Sequence, residues 1–145
     1  MDNTKQEYMD KVKKASPDSP ILVNCIRAFI VGGLICTLGQ LITNICKSMG
    51  ASVEDAATYT SVILVVLASL LTGMGIYEKI GKFAGAGSVV PITGFSNSVT
   101  SPAVEFKKEG FILGLGAKIF IVAGPVILYG VLTSVVVGII YYFMR

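Results

Sequence analysis

The chain contains no histidine, only three cysteines and few charges; Asp, Glu, Lys and Arg make up 14% of its 145 residues. Without histidine there is no ordinary general base at neutral pH, and the commonest metal ligand is missing. Cys25, Cys36 and Cys46 lie in one apolar stretch, with successive pairs roughly 15 Å apart on a helix rising about 1.5 Å per residue. They cannot share a metal or bridge one another within that helix, and they read as small buried residues. No paired carboxylates lie in the apolar runs, so no nucleophile–base pair can be assembled and no enzyme is expected. The run GAGSVV is not a phosphate loop, because no strand precedes it and no GK[ST] follows.

The scarcity of charge also limits the fold class. A soluble domain of this length needs a polar shell, and these residues are too few to build one. With 53% hydrophobic residues, the composition is that of a membrane protein with one domain. The net charge is +3, from 12 basic against 9 acidic residues. The basic residues are scattered through short loops, which suits membrane topology and gives nucleic acid no surface. The first 20 residues are polar, and the apolar stretch behind them is too long for a signal-peptide core, so no signal peptide is expected.

The pattern predicts an all-α integral membrane protein with three transmembrane helices and a Gly/Ser-rich broken or re-entrant helical segment. Residues 1–20 form a charged cytoplasmic arm carrying Lys5, Lys11, Lys13 and Lys14, broken by Ser16, Pro17, Ser19 and Pro20. Residues 21–145 form the membrane domain. The first span, 21–46, is roughly 39 Å long as a helix, enough to cross a core of about 30 Å with tilt. Gly33, Thr37, Gln40, Asn44 and Lys47 recur along it at three- and four-residue steps and fall on one stripe. Such a stripe faces protein or water, either as interhelical hydrogen bonds or as part of a solute path. Arg27 either snorkels to the headgroups or pairs with an anion.

Lys47 to Thr58 reads as a loop. Ser52 followed by Asp55 has capping-box spacing and predicts a helix start near Val53. The second span is 59–76, with Ser69 and Gly73 as a small-residue face beside Thr72. The third is 119–144, with Gly130, Ser134 and Gly138 repeating every four residues, a kink expected at Gly124-Pro125, Tyr141 and Tyr142 suited to the interface, and Arg145 as an end anchor.

Residues 83–102, FAGAGSVVPITGFSNSVTSP, are apolar enough to enter a bilayer, yet dense in Gly, Ser and Thr and interrupted by Pro91. Irregular backbone at membrane depth survives only where protein covers it or a wet cavity adjoins it. A re-entrant or broken helix fits, and a surface loop or interfacial hairpin is the alternative. Ser101-Pro102 resembles an N-cap with Pro at the first helical position, which predicts a short interfacial helix over 103–109. A re-entrant segment places Lys79, Lys82, Lys107 and Lys108 on the side of the arm, the arrangement the positive-inside rule favours. Free N–H groups at the start of a half-helix attract anions, and Gly85, Gly87, Ser88, Thr93, Ser96, Asn97 and Thr100 are candidate ligands for a solute. Lys79 and Lys82 would draw anions toward them. Together with Gln40, Asn44 and Arg27 they form the candidate substrate path. No metal site and no cofactor are expected.

The run GKFAGAGSVVPITGFSNSVTSPAVEFKKEG (81–110), followed by GLGAKIF and AGPVILYG between residues 114 and 130, resembles the SpoVA membrane proteins of spore-forming Firmicutes. The resemblance covers nearly the whole chain. It implies movement of dipicolinic acid (pyridine-2,6-dicarboxylate), largely as its calcium chelate, across the spore inner membrane in sporulation and germination, with mechanosensitive channel behaviour in one member. It further implies AEb-type membrane and AD-type soluble subunits as partners. The family brings no established catalytic residues. Three spans of one small chain cannot enclose a wide pore, so an oligomer or a complex is expected in the bilayer. A non-conducting scaffold subunit of the same complex is the alternative.

Overall fold

A computed structural model describes residues 2–15 and 19–144. The break placed at Ser16 and Pro17 and the anchor Arg145 lie outside the described residues. The described chain is helical, with α1 (Asp2–Ala15), α2 (Ile21–Ser48), α3 (Val53–Gly73), α4 (Ile76–Ala84), α5 (Pro91–Glu105) and α6 (Ala117–Met144). A 3-10 turn, Gly85–Ser88, joins α4 to α5. A second 3-10 turn, Phe106–Glu109, and a π-helical turn, Phe111–Gly116, lead into α6. Three helical segments are long and apolar enough to cross a membrane: Ile21–Ser48, Val53–Gly73 and Phe111–Met144. The protein is an all-α membrane protein.

α2 runs past Cys46 to Ser48, so Lys47 lies in its last turn, where a cation meets the free carbonyls favourably. α3 starts at Val53, as the sequence predicts. The Ser52 hydroxyl oxygen accepts the Asp55 N–H at 3.1 Å and donates to the Asp55 carboxylate at 2.7 Å. In a full capping box the longer Glu would reach back to the cap's own N–H; Asp closes onto the hydroxyl instead. α3 ends at Gly73, three residues short of Ile76, because the chain turns at Met74–Gly75 and α4 begins there.

Lipid tails give apolar helices no reason to leave them, so packing within a membrane needs small side chains and hydrogen bonds. α3 supplies both on one stripe. Ala56, Thr60, Leu64 and Ala68 follow at four-residue steps and are all buried. Thr60 meets Thr43 of α2 at 2.8 Å, hydroxyl to hydroxyl, and a Cβ on Gly39 would stand 3.4 Å from Leu64. α2 and α3 therefore lie antiparallel with α5 against α3.

No new helix begins at Ser101-Pro102. α5 passes through both to Glu105, and residues 106–109 form the 3-10 turn in place of an interfacial helix over 103–109. Pro102 sits in the last turn, where its missing N–H costs one bond to the Ser98 carbonyl. Contact with α3 and burial of Ala103 hold the helix through it. α6 likewise continues through Pro125. From Pro125 to Met144 every residue of α6 is exposed, including the small-residue face of Gly130, Ser134 and Gly138.

Candidate solute-path site

The Gly/Ser-rich segment is a broken helix. α4 stops at Gly85, whose φ of 54° and ψ of −124° are open to glycine and strained for other residues. Two residues on, Gly87 is buried against α2. A Cβ there would meet the Ala28 carbonyl oxygen and lie 2.6 Å from the Ala28 Cα. Backbone thus packs on backbone, and a Cβ on Gly32 would touch the Gly87 carbonyl oxygen at 3.4 Å. The buried Ser88 hydroxyl donates to the Gly85 carbonyl at 2.9 Å, and the buried Tyr77 hydroxyl donates to the Ser88 carbonyl at 2.8 Å. Protein covers the Gly87–Ser88 half of this irregular backbone and leaves Gly85 and Ala86 exposed, an arrangement that suits irregular backbone beside a wet cavity.

On the outer side of this turn lies a cleft of about 410 Å³, lined by Asn24, Arg27 and Ala28 of α2 and by Lys82, Gly85 and Ala86. The Arg27 guanidinium stands 5.0 Å from the centroid of the Phe83 ring, a cation–π contact that turns it toward α4. Lys82 pairs with Glu78 at 2.6 Å on the exposed face of α4. Glu78 is held below the ordinary carboxyl value of 4.5, first by the hydrogen bond from Lys82 and then by the Lys82 charge. The cleft thus carries one cation with a carboxylate partner and one, Arg27, without such a partner among the described residues. It is suited to small anions.

A second polar group joins α5 to α3. Thr100 donates to the Ser69 hydroxyl at 3.1 Å, Ser69 and Ser96 meet at 2.9 Å, and Ser96 donates to the Val65 carbonyl at 2.9 Å. With Ser96 donating to Val65, the protons run one way, from Thr100 through Ser69 to Ser96. Beside this chain Thr72 donates to the Asn97 carbonyl oxygen at 2.9 Å. These groups satisfy one another between helices, each such bond contributing about 0.6 kcal/mol on average.

The structure sorts the sequence candidates into four places. Arg27, Lys82 and Gly85 line the cleft. Gly87 and Ser88 build the turn beneath it. Ser96, Asn97 and Thr100 bind α5 to α3. Thr93 and Lys79 line a separate apolar groove. Gln40 and Asn44 join none of these: both are exposed on α2, and the Gln40 side chain donates to that of Asn44 at 2.9 Å. Their stripe points away from the α3 contact. Among the described residues no group of three or more His, Cys, Asp or Glu could hold a metal.

Sequence reasoning passed over Tyr77, Ala28, Gly32 and the Thr43–Thr60 pair. The four-residue repeat from Ala56 to Ala68 was a signal for the last. Nothing local marks Tyr77, whose partner is eleven residues away across a turn.

Among families of known proteins, residues 24–140 match the SpoVAC/SpoVAEB sporulation membrane protein family. Stage V sporulation protein AC of Bacillus subtilis (strain 168) is 46% identical over 141 residues, which cover 97% of this chain and 94% of that protein. No solved structure matches.

Proposed function

Because the chain belongs to the SpoVAC/SpoVAEB family of sporulation membrane proteins, we propose that it is a channel subunit moving dipicolinate, with its calcium, across the spore inner membrane. Its partners in this reading are AEb-type membrane subunits and an AD-type soluble subunit. One observation carries the proposal: the cleft that places Arg27 and Lys82 beside the broken helix at Gly85–Ala86. A dicarboxylate leaving water needs cationic and polar groups near the entry, and a low-dielectric wall strengthens their pull. Packing of Gly87 on Ala28 fixes the turn at that position. Membrane tension is a fitting stimulus, since separating α2 from the turn would open the cleft inward.

The test removes charge and leaves the packing alone. Arg27→Gln combined with Lys82→Gln, both at exposed positions, should slow dipicolinate release about ten-fold, the low end of focusing by a charged cleft. The abundance of the protein in the membrane should stay unchanged. Unchanged release would refute the cleft as the entry. The scaffold reading rests on the uncovered stretch of α6 from Pro125 to Met144. It predicts that Gly130→Leu abolishes complex assembly while the charge variants do nothing.

A further inference from the structure

We propose that the groove between α2, α3 and α4 is a binding site for one anionic glycerophospholipid. The groove encloses about 570 Å³ and is walled by Leu34, Leu38, Leu64, Leu71, Ile80 and Phe83. It holds one buried polar atom without a partner. Thr93 is 6% exposed, lines the groove, and its hydroxyl makes no hydrogen bond among the described residues. A threonine inside a helix ordinarily donates to the carbonyl four residues back. Thr37, Thr58 and Thr133 all do so. Thr93 cannot, because residue 89 precedes the start of α5 at Pro91 and lies outside the helix. A buried hydroxyl without a partner is costly, so turning the Thr93 side chain toward a ligand acceptor in the groove is favourable.

The second feature is Lys79, which lines the same groove and forms no ion pair among the described residues, whereas its neighbour Lys82 is held by Glu78. α4 is amphipathic: Tyr77, Ile80 and Phe83 line the groove or its floor, while Glu78 and Lys82 pair on the exposed face. Such a helix lies at the headgroup level of a bilayer. An apolar slot, a hydroxyl donor and a cation match an acyl chain, an ester carbonyl and a phosphate. Dipicolinate does not fit, since two carboxylates would face leucines without donors. A helix from a second copy would have to bury the Lys79 charge. The site shares only the Phe83 ring with the cleft at Arg27 and does not depend on solute conduction.

The test uses the purified chain in nanodiscs doped with a phosphatidylglycerol or a phosphatidylcholine carrying a photoreactive group in its acyl chain, with crosslinks mapped by mass spectrometry. Labelling of Leu34, Leu38, Leu64 and Leu71 should exceed that of Val131 and Val135 on exposed α6, which report bulk lipid. Lys79→Gln, at an exposed position that tolerates change, should lower the preference for phosphatidylglycerol about five-fold, the effect of one basic residue near an anionic surface. Thr93→Val should lower labelling by both lipids. Groove labelling equal to that of α6, equal labelling by the two lipids in the unaltered chain, or crosslinks from the groove residues to a second copy would each overturn the proposal.

Discussion

Gly87 lies so close to Ala28 that a single added carbon would strike the Ala28 carbonyl oxygen. This contact ties the Gly85–Ser88 turn to α2 and sets where the chain breaks between α4 and α5. Neither backbone can retreat without loosening the helix behind it.

Gly87→Ala should therefore destabilise the protein by roughly 1–3 kcal/mol, the range for overpacked sites. Gly73→Ala, which meets nothing within 4 Å, is the control and should change little. Thermal unfolding in detergent checks both. Equal behaviour of the two variants would show that the turn does not press on α2.

The hydroxyl chain between α3 and α5 predicts coupled energetics. Ser69→Ala and Ser96→Ala should each cost about 1 kcal/mol, with a coupling in a double-mutant cycle near the membrane average of about 0.6 kcal/mol. Strict additivity would mean that the two hydroxyls do not share a proton.

The Glu78–Lys82 pair predicts a pH dependence whose sign is fixed. The Glu78 carboxyl titrates below 4.5 in the folded protein, so the stability it adds is present above that value. It is lost as pH falls through the lowered folded value. The pair is solvent-exposed, so the increment is small. Isotope-labelled Glu78 should titrate with a midpoint below 4.5, and Lys82→Gln should raise that midpoint. A midpoint at or above 4.5 in the unaltered chain would contradict the pairing.

Much of the fold was legible in the sequence for reasons that can be named. Long apolar runs marked three spans, and Ser52 marked the start of α3 through its local hydrogen bonds. Gly85 to Pro91 marked a break, since glycines and a proline make poor continuous helix. Pro102 misled, because its local preference for a helix start yielded to contacts that α5 makes with α3. The stripe from Gly33 to Lys47 was periodic as read. Periodicity reports which residues share a face and not what that face meets, and here Gln40 and Asn44 face away from the rest of the chain. The cleft required Arg27 and Lys82 to be brought together across 55 residues, a relationship that no local pattern encodes.

Cys25 lines the cleft beside Arg27 and so reports on whether anions enter there. With Cys36 and Cys46 replaced by serine, the rate at which Cys25 reacts with charged, membrane-impermeant thiol reagents should be measured in native membranes. Reaction should be faster with an anionic than with a cationic reagent, and added dipicolinate should slow it. Equal rates for both reagents, indifferent to dipicolinate, would contradict anion entry at the cleft.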